Sequence, residues 1–194
     1  MNLVNEFIGK IEDNAFAIAD ASNFITRMNK GSGGFNFIKG SFVERKVAEA
    51  TGGEWIGDGT HADVDYHGLS IEVKSNKATS NTVSVPMTNS ATVRHSKELY
   101  LFVLQKETET IVMLFDNSIE DHFVEGGREQ EVCKIDLKNG TVKGTDIEPL
   151  LDLSIPNEDV DPDVKGAKSY FENEAYAILC ELQEMLVSAC AATT

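Results

Sequence analysis

Hydrophobic positions along this chain fall into two periods. Val4, Phe7, Ile8, Ile11, Ala15, Ile18 and Ala19 recur every three or four residues, which predicts an amphipathic helix over residues 3–25. Val43, Val47 and Ala50 repeat that spacing and predict a second helix from Ser41 to Thr51, stopped by Gly52-Gly53. Beyond it the period drops to two. Glu54-Trp55-Ile56 reads as a short strand. Val64, Ile71 and Val73 then alternate with Asp63, Asp65, Glu72 and Lys74, the pattern of two short strands joined at His67-Gly68. Leu99 to Gln105 is a continuous apolar run, short enough for a buried central strand, and Thr110 to Phe115 returns after a turn at Lys106–Glu109. A short helix is expected from Ile119 to Val124, ended by Gly126-Gly127. Val132–Leu137 and Thr141–Lys143 flank Asn139-Gly140, a hairpin signal.

The connections are polar. Arg27 to Gly40 carries Gly31, Gly33, Gly34 and Gly40 and reads as a flexible connection, Ser75–Asn81 as an exposed run, and Asp152–Asp163 as an acidic linker with Pro156 and Pro162. Phe171, Ala175, Ile178, Leu182, Met185 and Ala189 then follow a 4-3-4-3-4 spacing, a seam for packing on the core or for a dimer. The expected organisation is an α/β domain over residues 1–155, a linker over 156–165, and a C-terminal helix over 166–194. Its core would be a mixed central sheet of four to five strands flanked by helices, with an added C-terminal hairpin and helix.

Composition is that of a globular protein, and no stretch approaches a membrane span. Acids occupy the N-terminus where a signal peptide would need an apolar core. Cys133, Cys180 and Cys190 are odd in number and lack metal-ligand spacing, so reduced thiols and a cytoplasmic location are expected. The formal net charge is −15, which argues against a general nucleic-acid binder. Its distribution matters more. Residues 98–194 hold seven basic and twenty-one acidic side chains, whereas Arg27 to Lys97 holds nine basic and seven acidic. The candidate chemistry lies in the only stretch that acids do not dominate.

A two-residue turn at His67-Gly68 would set Asp65 against Ser70 and Asp63 against Glu72, with both aspartates, Glu72 and Lys74 on one face. Like charges facing each other on a sheet are unfavourable, and a cation resolves the conflict. Carboxylate oxygens are the ligands Mg²⁺ prefers. An aspartate on one strand and Glu72-Val73-Lys74 on the next resembles the PD-(D/E)xK nuclease superfamily of restriction endonucleases and Holliday junction resolvases. No proline precedes Asp63, and the spacing to Glu72 is short for that family. Lys39-Gly40-x-x-x-Glu44-Arg45 also resembles the opening of archaeal Holliday junction resolvases. Glu44 otherwise fits a capping box begun by Ser41. The resemblance spans about residues 39–77.

What the resemblance implies is a restriction endonuclease-like core and Mg²⁺-dependent hydrolysis of DNA phosphodiester bonds, with Mn²⁺ as a substitute ion. Asp63, Glu72 and Glu44 would serve the metal with the Val73 backbone carbonyl, Asp65 would be the alternate ligand, and Lys74 would orient or deprotonate water. Beside a cation, Lys74 would have its pKa pulled down. Lys39, Arg45, Lys77, Asn89, Arg94 and Lys97 are candidate DNA contacts. A homodimer would suit symmetric cutting of both strands. The alternatives are a Holliday junction resolvase, a nicking enzyme, or an inactive DNA-binding or structural protein of the same fold.

Overall fold

The computed structural model describes residues 2–28, 35–56, 62–88, 97–126 and 131–157, with the side chains of 24–39 and 88 outside that set. Two helices come first, α1 (Leu3–Met28) and α2 (Phe35–Thr51). The strands are β1 (Glu54–Trp55), β2 (Val64–Tyr66), β3 (Leu69–Lys77), β4 (Thr82–Thr88), β5 (Leu99–Gln105), β6 (Glu109–Asp116), β7 (Val124–Glu125), β8 (Glu131–Asp136), β9 (Thr141–Val142) and β10 (Leu151–Pro156). A 3₁₀-helix, Asn117–His122, follows β6.

The main sheet has six strands in the order β1-β2-β3-β5-β6-β10. Only the β3–β5 pair is parallel, from Ile71 opposite Leu99 to Lys77 opposite Gln105, so the sheet is mixed. A smaller sheet, β4-β8-β7 with β9 on β8, packs against it. The α/β class is as the periodicity implies, but the main sheet has six strands rather than four to five. The hairpin near residue 139 is also no appendage, since β8 pairs with β4 through Val83–Ile135 and Val85–Cys133.

Each face of the main sheet has its own core. Val64, Tyr66, Ile71, Val73, Leu99, Leu101 and Val103 meet Phe7, Ile11 and Ile18 of α1 and Val43 and Val47 of α2. On the opposite face Tyr100, Phe102, Leu104, Met113 and Phe115 meet Val83, Val85, Cys133 and Ile135 of the smaller sheet. All seven residues of β5 are buried, which is why its sequence runs apolar instead of alternating. On this second face β3 presents Glu72, Lys74 and Asn76, all half-buried. The apolar core therefore ends at β3, and the margin beyond it is polar.

Four expectations change. Phe35–Gly40 is helical, so α2 starts six residues before Ser41, which is no N-cap; the capping-box reading of Glu44 fails. Ser75–Lys77, expected to open an exposed polar run, instead completes β3, and beyond that run Thr82–Thr88 alternates Val83, Val85 and Met87 inward as an edge strand, where Pro86 can be tolerated. Leu151–Pro156 forms β10 at the edge of the main sheet, not a linker, because Leu151, Leu153 and Ile155 repeat with period two against α1 and β6. The short helix ends at His122 rather than at Gly126-Gly127, and Val124–Glu125 pairs with β8. Cys133 is a buried free thiol, pushed up to about 12 by burial. The proposed seam of residues 171–189, Cys180 and Cys190 lie outside the described residues. Among the described residues, no helix is long and apolar enough to cross a membrane.

Candidate active site

The β2–β3 hairpin has the two-residue turn that the alternation implies. Val64, Asp65 and Tyr66 stand opposite Ile71, Ser70 and Leu69. His67 and Gly68 take φ values of 54° and 95°, the left-handed pair that a type I′ turn demands. Asp65 serves this turn, since its Oδ1 accepts the Gly68 N–H at 2.9 Å. Asp63 lies one step beyond the last β2–β3 pair, and its Oδ2 accepts the Val73 N–H at 2.8 Å. The Asp63 carboxylate thus takes the place of the next strand bond. Its backbone is held from the other side, where the Ile56 N–H donates to the Asp63 carbonyl at 3.0 Å. The N–H and C=O of a strand residue leave on the same side, so the Val73 carbonyl emerges beside Asp63.

Glu72 and Lys74 follow on the same face of β3, and their side chains form an ion pair through Glu72 Oε1. Glu44 comes from α2 on the opposite face, yet it interacts electrostatically with Asp63, Glu72 and Lys74. Its carboxylate is fastened by Trp55 of β1, whose Nε1 donates to Glu44 Oε2 at 3.2 Å. Gly40, one turn earlier on α2, leaves room for this side chain: a Cβ there would lie 3.2 Å from Glu44 Oε1. Asp63, Glu72, Glu44 and Lys74 are therefore brought together, and Asp65 is kept at the turn.

Three carboxylates in a half-buried site repel one another. Burial first, then Glu72 and Glu44, push the Asp63 carboxyl up to about 8, against the opposing pull of Lys74 and the Val73 N–H. Burial likewise raises Glu44, with Glu72 adding to it and Trp55 and Lys74 opposing. For Lys74, burial acts downward, but Glu72, Asp63 and Glu44 together outweigh it and hold the ammonium above its ordinary value. This is opposite to the direction expected beside a cation. The carboxylates act on Lys74 here, and they are the groups a cation would neutralise.

Among the described residues, no three His, Cys, Asp or Glu side chains stand as a ready-made metal site. Each of the three carboxylates is already bonded within the fold. Glu72 is occupied by Lys74, one oxygen of Asp63 by the Val73 N–H, and one oxygen of Glu44 by Trp55. The donor set still suits Mg²⁺ in kind, being hard carboxylate oxygen under strong mutual repulsion. Ligation would require Glu72 to exchange Lys74 for the ion.

The candidate DNA contacts divide. Lys77 is exposed at the end of β3. The Arg45 guanidinium lies over the Trp55 ring, 5.2 Å from its centroid. Lys39 belongs to α2 by its backbone. Asn89 and Arg94 lie outside the described residues. Lys97 is no exposed loop lysine: it is only 8 % exposed, with Nζ 3.9 Å from Glu72 Oε2. Trp55, Tyr100 and Glu120 carry no site signal in the sequence, and Lys97 is marked there only as a DNA contact, not as a partner of Glu72. Tyr100 is opposite Glu72 in the β3–β5 register, and its hydroxyl donates to Glu120 Oε1. Burial, then Glu120 and Glu72, raise the Tyr100 hydroxyl far above the ordinary range, so it stays a donor.

No family model matches this chain, and comparisons with curated proteins and with solved structures return no match.

Proposed function

We propose that this protein is a Mg²⁺-dependent DNA endonuclease with a PD-(D/E)xK-type site on a restriction endonuclease-like core. The observation that carries the reading is the convergence of Asp63, Glu72, Lys74 and Glu44, contributed by the β2–β3 hairpin and α2, at the polar margin of a mixed sheet. Asp63, Glu72 and Glu44 would hold the ion, with the Val73 carbonyl a further oxygen. When bound, the ion lowers the pKa of water and offsets charge on the phosphate. In hydrolysis the water oxygen bonds to phosphorus, one P–O ester bond breaks, and the proton lost by water balances the one gained by the leaving oxygen. Lys74, released from Glu72, orients the attacking water. Glu44 is kept in place by Trp55. Such cleavage is so slow unaided that roughly 20 kcal/mol of barrier must be removed, more than one residue supplies.

DNA is the substrate class of this reading, with Lys77 an exposed cation for the backbone at the end of β3. Cutting both strands symmetrically would call for a homodimer. The test is incubation of the protein with supercoiled plasmid, linear duplex and a four-way junction, in Mg²⁺ or EDTA. Mg²⁺-dependent cleavage that disappears in Lys74→Ala while folding and DNA binding persist is the expected result. Cleavage of the junction alone would move the reading to a resolvase, and single-strand nicks to a nicking enzyme. DNA binding without cleavage in Mg²⁺ or Mn²⁺ would leave a non-catalytic binding protein.

A further inference from the structure

We propose that Lys97 is a second active-site cation, one that passes from Glu72 to the reacting phosphodiester when a metal ion claims Glu72; the inference rests on the nuclease reading above. A lysine ammonium is almost never buried without a partner. Lys97 is 8 % exposed, and Glu72 is the carboxylate within ion-pair distance of it among the described residues. The contact is long. At 3.9 Å from Glu72 Oε2 it exceeds hydrogen-bond distance, and the other Glu72 oxygen is already held by Lys74. One long contact on a shared carboxylate is weak compensation for removing an ammonium from water.

The backbone around Lys97 is, by contrast, tightly fixed. Its N–H donates to Glu120 Oε1 at 3.2 Å, the oxygen that also accepts the Tyr100 hydroxyl. Glu98, the next residue, donates its N–H to the Ser70 carbonyl at 3.1 Å, and its carboxylate accepts the Ser70 N–H at 2.8 Å. The leading end of β5 is thus tied both to β3 and to the 3₁₀-helix, and it carries the ammonium to the second oxygen of Glu72. A cation delivered by hydrogen-bonded backbone, with one loose contact among the described residues, is placed for a partner that arrives later. Carboxylate ligation by a hard divalent ion would take Glu72 from both lysines. Lys74 then serves water, and Lys97 faces the remaining anion, a non-bridging phosphate oxygen whose charge grows in the transition state. A donor so placed is worth most when it is preorganised and shielded from water.

The test uses the full chain with Lys97→Met, which keeps the buried stem, and Lys97→Arg, which keeps the charge. Three quantities are measured for each: single-turnover cleavage of saturating plasmid DNA in Mg²⁺, KM, and Mn²⁺ affinity by titration calorimetry. Lys97→Met should lower the single-turnover rate by about 10²–10³-fold, with KM and Mn²⁺ affinity changed less than about threefold, and Lys97→Arg should recover at least about tenfold of that loss. A wild-type rate in Lys97→Met would overturn the assignment, and so would a loss that appears only in Mn²⁺ affinity, which would make Lys97 a mere support for Glu72. Should Lys97→Met fail to fold, Lys97→Arg decides: a folded variant without any cleavage above Lys74→Ala would also end it. If Lys74→Ala is dead while Lys97→Met is active, this inference falls and the nuclease reading stands. If the wild type neither cleaves DNA nor binds Mn²⁺, both fall.

Discussion

Trp55 gives its indole N–H to Glu44 at 3.2 Å, and by this bond a two-residue edge strand holds the carboxylate that α2 sends to the site. The same ring carries Arg45 on its face. Trp55→Phe would keep the ring and remove the donor. Loss of one such bond should cost about 1 kcal/mol of stability. Glu44 would then move freely, and cleavage should fall about tenfold or more through loss of positioning. Urea denaturation and plasmid cleavage measure the two effects, and unchanged activity would separate Glu44 from the site.

Protonation of Asp63 makes a pH prediction. Its carboxyl ionises near 8 in the fold but near 3.8 when unfolded. Between those values the folded state binds the extra proton, so stability falls as pH rises from about 4 toward 8. Glu44, raised for the same reason, adds in the same direction. Lys74, raised in the fold, stays charged throughout that window and does not oppose the trend. In EDTA the urea midpoint should drop from pH 5 to pH 8, and Asp63→Asn should flatten the slope. Mg²⁺ should restore more stability at pH 8 than at pH 5, because ion and proton compete. A midpoint that rises across this range in EDTA would contradict the electrostatic account.

Asp63 and Asp65 differ in what they bond. Asp63→Asn should abolish Mg²⁺-dependent cleavage, whereas Asp65→Asn keeps an acceptor for the Gly68 N–H and should cleave within about threefold of wild type. The reverse ranking in a cleavage assay would place the metal nearer the turn.

Gly53 is where the end of α2 passes the hairpin. A Cβ there would stand 2.9 Å from both the Asp65 carbonyl oxygen and Val64 Cγ1, and backbone cannot yield as a flexible side chain can. Gly53→Ala should therefore cost about 1–3 kcal/mol and weaken Mn²⁺ binding by displacing the strand that leads from Asp63. Wild-type stability in denaturant would show that the contact relaxes freely.

Strand and helix geometry acting over a few residues is legible in the chain alone. Period-two alternation around His67-Gly68 is enough to set Asp65 opposite Ser70 and to place Asp63 beside Glu72 and Lys74, because a two-residue turn leaves one register. The apolar run of Leu99–Gln105 likewise declares a strand buried on both faces. Leu151-Asp152-Leu153 carries the same alternation, but the acids and Pro156 around it read as a linker on composition alone, and the shorter alternation of Val83-Ser84-Val85 is interrupted by Pro86. The tertiary structure alone decided which distant elements reach the hairpin. Trp55 on Glu44, Lys97 on Glu72, and Glu120 beneath both Lys97 and Tyr100 depend on how α2, β1, β5 and the 3₁₀-helix pack around β3. No spacing along the chain encodes those meetings, since each is set by the packing of the whole sheet rather than by the pitch of one element. The direction of the Lys74 shift has the same origin: it follows from the number of carboxylates that folding gathers around one ammonium.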